Sequence, residues 1–165
     1  MAAPADEKRF TAYYRSEIGM VEVIGTGKGI LSVNFKEQRP SRIPETVTLP
    51  AVIKKCRRQL DEYFRGWRTS FSLELSLKGT DFQQKVWRQL LKIPYGATRS
   101  YKDVAKAIGH PRSTRAVGGA NHNNAIGIIV PCHRVIGHNG KLVGYGGGLW
   151  RKEWLLQHER RFSRP

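Results

Sequence analysis

The sequence predicts an α+β protein of two domains: a small antiparallel sheet with one helix over residues 1–78, joined to a mostly helical, winged helix-turn-helix domain over residues 79–165. Three observations carry this. Short apolar runs with period-two alternation dominate the first third. Helical patterns separated by Gly and Pro fill most of the rest. Positive charge is concentrated in the second part. The 165 residues suffice for two small domains, and a 39% hydrophobic content supports a packed core rather than disorder.

In the first domain, Phe10 to Arg15, Met20 to Ile24 and Leu31 to Phe35 read as strands, with Leu31, Val33 and Phe35 alternating. The link Gly25-Thr26-Gly27-Lys28-Gly29 lacks the Ser/Thr after Gly-Lys and the long glycine spacing of a phosphate loop, so it reads as a hairpin turn. A helix is expected from about Pro50 to Phe64, with Val52, Ile53, Cys56, Leu60, Tyr63 and Phe64 on one stripe, ended by Gly66. Phe71, Leu73, Leu75 and Leu77 alternate and predict a further strand.

Beyond Lys78-Gly79, Thr80 and Gln83 form a capping-box pattern, and Phe82, Val86, Trp87, Leu90 and Leu91 define an amphipathic helix stopped by Pro94. Ser100 caps a second helix, which breaks at Gly109-His110-Pro111, and Ser113 opens a third through Ala120. The apolar run Ile126 to Val130 reads as a strand leading to Pro131-Cys132-His133. Asn139-Gly140 marks a hairpin turn, Gly144 to Gly148 a loop, and Trp150 to Phe162 a final helix. Two short helices and a hairpin fit a helix-turn-helix with a wing, although a plain helical hairpin shares the pattern. The second of those helices carries Ala116, Val117, Gly118, Gly119 and Ala120. Such a helix has no long side chain for base edges, but it permits close backbone approach to DNA. Arg115 is the exception, a long cation at its start.

Net charge is +16, with +5 over Met1 to Lys78 and +11 over Gly79 to Pro165. A basic half beside a milder one suggests a polyanion partner, bound through phosphates and shape. No stretch approaches 18 uncharged apolar residues, which excludes a membrane-spanning helix. The N-terminal segment, with Asp6, Glu7, Lys8 and Arg9, does not read as a signal peptide. Two cysteines cannot build a disulfide framework, so a cytoplasmic or nuclear setting is expected.

Those cysteines differ. Cys56 lies on an apolar stripe and reads as a small core hydrophobe. Cys132 follows a proline and precedes His133 and Arg134, a setting polar enough to favour thiolate. A core cysteine or a metal ligand is the alternative, but no second cysteine or histidine pair stands at ligand spacing. Adjacent side chains diverge, so His133 is expected to reach Cys132 through a water. The imidazole needs a carboxylate orienter. Of Asp81, Asp103, Glu153 and Glu159, Glu159 on the last helix is the choice, its alternative being an ordinary surface residue.

The run Ile129-Val130-Pro131-Cys132-His133-Arg134-Val135-Ile136 resembles the active-site signature of the O6-alkylguanine-DNA alkyltransferases. The resemblance continues through Gly79-Thr80-Asp81-Phe82-Gln83, Ile93-Pro94-Tyr95-Gly96, Ser100-Tyr101, Arg115-Ala116-Val117-Gly118, Gly144-Tyr145 and Lys152-Glu153-Trp154-Leu155-Leu156. It covers nearly everything after Gly79, and it implies an RNase H-like first domain.

The resemblance implies that Cys132 accepts the alkyl group irreversibly, that His133 acts through water, and that Glu159 orients His133. It makes Asn124 the hinge between recognition helix and active-site loop. Tyr101 would donate toward guanine N3, and Arg115 would fill the gap left by a flipped nucleotide, with Ala116, Gly118 and Gly119 against the DNA. Val135, Tyr145, Gly146 and Gly147 would line the guanine pocket. Read without the family, Tyr101 and Tyr145 could be packing aromatics and Asn124 a helix C-cap. The implied partner is double-stranded DNA containing alkylated guanine, with O4-alkylthymine as a further substrate, and no cofactor or metal. The implied protein is a monomer, cytoplasmic and nucleoid-associated or else nuclear, and cooperativity on DNA is left open. Ala125 and Gly127 depart from the family, standing where relatives carry proline. The rivals are a lesion sensor of the same fold that does no chemistry, a thiol hydrolase using Cys-His-Glu, and a winged-helix regulator.

Overall fold

The structure, a computed structural model, describes residues 7–38, 40, 41 and 48–163. Residues 1–6, on which much of the expectation about a signal peptide rests, lie outside the described residues. The chain divides into two compact units, Met1–Ser76 and Leu77–Pro165.

In the first unit, β1 (Phe10–Ser16), β2 (Gly19–Gly25) and β3 (Ile30–Lys36) form an antiparallel sheet in that order. The register sets Ala12 against Val23 and Val23 against Val33. These three side chains therefore share one face, and all are buried. That face packs on α1 (Ala51–Phe64), whose Ile53, Cys56, Leu60 and Tyr63 are fully enclosed. The turn after β2 is the expected hairpin turn, closed by Thr26 N donating to Gly29 O at 2.9 Å. A Cβ on Gly25 would stand 2.7 Å from Gly29 O, so only glycine fits there. The strand predicted over Phe71 to Leu77 is not one. The segment makes a single parallel bridge, Ile30 with Leu75, held by Ile30 N to Glu74 O and Ser76 N to Ile30 O. Its alternation comes from half-burial along a sheet edge rather than from a ladder.

In the second unit, α2 (Asp81–Leu90) begins with the expected capping box: Gln83 N donates to Thr80 Oγ1, and Thr80 N to Gln83 Oε1. It buries Val86, Trp87 and Leu90, and Trp87 Nε1 donates to Ala120 O at 2.8 Å. That bond fastens α2 to α4 (Thr114–His122). Between them in sequence lies α3 (Tyr101–Ala107), capped by Ser100 with Asp103, and Gly109 turns the chain toward α4 at φ +80°. The three helices pack on one another, and α5 (Leu149–Phe162) closes the unit.

Two expectations fail here. The apolar run Ile126 to Val130 forms consecutive turns instead of a strand, with Ile128 at φ +68°. The hairpin at Asn139-Gly140 is a tight turn with Gly137 N donating to Lys141 O and no ladder beyond it. Instead, β5 (Val135–Ile136) pairs in parallel with β4 (Arg99–Ser100). Among the described residues, no helix is long and apolar enough to cross a membrane.

Candidate active site

The thiol is positioned by the backbone on either side of it. Asn124, just past α4, donates from Nδ2 to Val130 O at 2.9 Å and accepts from Ile126 N at 3.0 Å, which folds the intervening turns into a compact loop. Within that loop Ile128 occupies a left-handed conformation that a β-branched side chain adopts only under strain, costing about 1–3 kcal/mol. The loop delivers Pro131 and then a 3₁₀ turn, Cys132–Arg134. Asn121, on the last turn of α4, donates from Nδ2 to Cys132 O at 3.2 Å. Two amides thus tie the end of α4 to the nucleophile's segment.

Cys132 is only 6% exposed. Burial pushes its thiol above the ordinary range, against the pull of the Asn124 amide, the Lys152 charge and the amides of Cys132 and His133. This corrects the expectation of a polar setting that favours thiolate: the sequence neighbours are polar, but the surroundings are closed. Cys56 is the core residue expected, fully buried and pushed up to about 12.

His133 and Glu159 meet as expected. His133 Nε2 lies 2.7 Å from Glu159 Oε1, both side chains fully buried. Burial pushes the imidazole below its usual value, with Glu159 opposing. A neutral His133 therefore donates Nε2–H to Glu159, and its buried Nδ1 carries a lone pair with no partner among the described residues. That is an open base atom. Glu159 is no surface residue. It also accepts from Arg134 Nε at 2.8 Å and Nη2 at 2.9 Å, and from Gly96 N at 3.3 Å. Burial alone would raise its carboxyl, but His133 and Arg134 hold it far below the carboxylate range. Arg134 is itself anchored to Ile93 O at 2.7 Å.

Tyr101, half-buried at the start of α3, donates to Val143 O at 2.9 Å, and burial raises its hydroxyl, so it stays protonated. Burial drives the Tyr145 hydroxyl well above its usual value, with Cys132 adding to the rise. Gly146 is exposed; Gly147 O accepts from Arg151 Nη1 at 2.9 Å. Val135 is fully buried in β5.

On α4, Arg115, Ala116 and Gly119 are exposed and Gly118 is half-buried, while Val117 and Ala120 face the core. A Cβ on Gly118 or Gly119 would meet nothing within 4 Å. Nothing inside the protein requires glycine there. Arg115 is not brought to the thiol: it stands on the first turn of the helix whose last turn carries Asn121.

Three residues at the site escaped the sequence reading: Asn121, Arg134 and Lys152. The signal for Lys152 was present. Lys152, Leu155, Leu156 and Glu159 fall on one helical stripe, so a lysine and a glutamate share the inward face of α5. Asn121 follows Val117 by four residues, on the buried side of α4. Among the described residues, no group of three His, Cys, Asp or Glu side chains is placed to hold a metal ion.

A buried thiol, an unpartnered imidazole nitrogen and a carboxylate orienter, tied through Asn121 and Asn124 to a helix with a bare outer face, make a cysteine-nucleophile site attached to a candidate DNA-contacting element. Comparison with known proteins agrees. Residues 81–161 match the family model described as 6-O-methylguanine DNA methyltransferase, DNA binding domain, and residues 10–77 match its ribonuclease-like domain. A methylated-DNA–protein-cysteine methyltransferase of Mycobacterium bovis is 51% identical over 147 residues, 88% of each chain. The crystal structure of the Mycobacterium tuberculosis O6-methylguanine methyltransferase superposes with a TM-score of 0.84 at 46% identity, covering 95% of this chain and 96% of that one. A structure from the same organism in complex with DNA gives 0.82 at 47% identity, covering 92% of each chain. The chain belongs to the 6-O-methylguanine DNA methyltransferase family.

Proposed function

We propose that this chain repairs DNA by moving the alkyl group of O6-alkylguanine, and of O4-alkylthymine, onto Cys132, once and irreversibly. The observation that carries the reading is the buried His133–Glu159 pair at 2.7 Å, with His133 Nδ1 without a hydrogen-bond partner among the described residues, on the residue next to Cys132 in the chain. The relatives named methylated-DNA–protein-cysteine methyltransferases supply the reaction class. The second domain, residues 79–165, binds duplex DNA and carries the chemistry, and residues 1–78 form the accompanying domain. The protein acts as a monomer in the cytoplasm or on chromosomal DNA.

The roles follow from the chemistry. Arg115 enters the duplex and the target nucleotide leaves the stack, at a cost of a few kcal/mol. Ala116, Gly118 and Gly119 let the helix backbone approach the DNA closely. The base lodges among Val135, Tyr145, Gly146 and Gly147. His133 Nδ1 takes the thiol proton through a water, with Glu159 supporting the charged imidazole. The sulfur attacks the alkyl carbon, the carbon–O6 bond breaks, and its electron pair passes to the base. Tyr101 turns from Val143 O to guanine N3 and supplies the balancing proton, replenished from solvent. The thioether has no group to release it, so each molecule acts once. Asn124 holds helix and active-site loop in register throughout.

The test is intact mass after incubation with duplex DNA containing O6-methylguanine. One methyl group should appear per molecule, mapped to Cys132 and absent from Cys132→Ser. An unmodified wild-type protein that still binds the lesion would make it a sensor.

A further inference from the structure

Lys152 is a fully buried lysine that the mechanism above does not use. Its Nζ donates to Val143 O at 2.9 Å and Gly144 O at 3.2 Å, at the root of the loop that carries Tyr145. Tyr101 donates to the same Val143 oxygen, and the ammonium lies 5.8 Å from the Tyr101 ring centre. A buried ammonium requires compensation, and two carbonyl dipoles supply only part of it.

We propose that Lys152 is a positioning residue with two tasks: its ammonium pins the Val143–Gly148 loop, and it supplies the positive charge that lets the buried Cys132 ionise. This deepens the function proposed above, because it concerns the same thiol.

The groups around it fit. Its ammonium sits between the Val143 and Gly144 carbonyls and near the Tyr101 ring, and its charge acts on Cys132 and His133 in the 3₁₀ turn. On α5 itself, Glu159 is already engaged by His133 and Arg134, and Arg151 binds Gly147 O. The nearby carboxylate is thus committed elsewhere, so among the described residues a thiolate forming at Cys132 is the anion that would complement Lys152. Burial brings the lysine down to about 8, with Cys132 pulling it back up. At neutral pH it remains cationic, so a thiolate forming at Cys132 gains a partner as it loses water.

Two probes test this on the full chain. The first is the pH profile of Cys132 alkylation by iodoacetamide, in which sulfur displaces iodide and no DNA is involved; peptide mapping keeps Cys56 apart. Lys152→Gln removes the charge and keeps a donor, so its midpoint should move up by about one pH unit, roughly tenfold slower near neutrality, with rates converging in alkali. Lys152→Arg should keep the wild-type midpoint. The second probe is hydrogen exchange of the 143–148 amides, which should accelerate about tenfold or more in Lys152→Met and less in Lys152→Gln. If Lys152→Met does not fold, the Gln and Arg pair decides alone. An unchanged midpoint in Lys152→Gln overturns the proposal, and so does an equal shift in Gln and Arg, which would mark general damage. Failure of methyl transfer from DNA would sink the proposed function and leave this profile standing.

Discussion

Glu159 concentrates the residue-scale chemistry, since one carboxylate serves both the imidazole beside the thiol and the Arg134 guanidinium. Removing its charge strands a buried arginine. Glu159→Gln is therefore expected to lower stability by about 3 kcal/mol in urea unfolding at neutral pH. The same cluster sets the acid response. His133 stays neutral in the fold while the unfolded chain takes up a proton below the ordinary 6.5, so stability falls as pH drops through that value. The Glu159 carboxyl is held below its ordinary 4.5, so its contribution is present above that value and is lost as acid protonates it. Urea midpoints measured from pH 7 down to about pH 3 should decline in both stages, and Glu159→Gln should lose the second. Cys132→Ser is expected to abolish transfer and retain DNA binding, because attack needs a thiolate and docking rests on phosphates; gel shift beside intact mass separates the two.

Among the elements, α4 sets stability against function. Gly118 and Gly119 lie inside a helix with room for a methyl group on each, so Gly→Ala at either should stabilise the fold by about 1 kcal/mol. If the bare face exists for DNA, the same changes should weaken duplex binding. A thermal melt and a titration on one sample check both, and unchanged affinity would remove the face from the interface. Arg115→Ala should slow repair in duplex DNA by roughly tenfold to a hundredfold while sparing free O6-benzylguanine, which needs no flipping. Helix starts in this domain were legible, because caps and glycine breaks are local signals: Thr80 with Gln83 and Ser100 cap as expected, whereas Ser113 opens α4 without a side-chain cap bond. Ile126 to Val130 was misread because an apolar run looks alike in a strand and in buried turns. What decides between them is Asn124, whose side chain replaces the ladder partner. The β4–β5 pair joins residues far apart in sequence, and nothing in either dipeptide announces it. Within the site, Cys132, His133 and Glu159 could be chosen by chemistry, whereas Arg134 and Lys152 look like surface cations until the fold encloses them.

At the scale of the whole molecule, charge is the dominant property. The net +16 is weighted to the residues after Lys78, which carry +11 of it. Binding to undamaged duplex should thus fall steeply with salt and depend little on sequence, as phosphate neutralisation releases counterions. Fluorescence anisotropy over a range of salt concentrations with two unrelated duplexes measures both. A flat salt response, or a strong preference for one duplex, would favour a sequence-reading regulator.

The closure around Cys132 has a further consequence. A protein consumed by its own reaction is disabled by any stray electrophile or oxidant that reaches its sulfur first. With the thiol 6% exposed and burial opposing its ionisation, small reagents reach it less readily than they would an open thiolate. The same enclosure that opposes ionisation thus protects the unused protein, and the local charge at Lys152 sets how much reactivity is kept in hand.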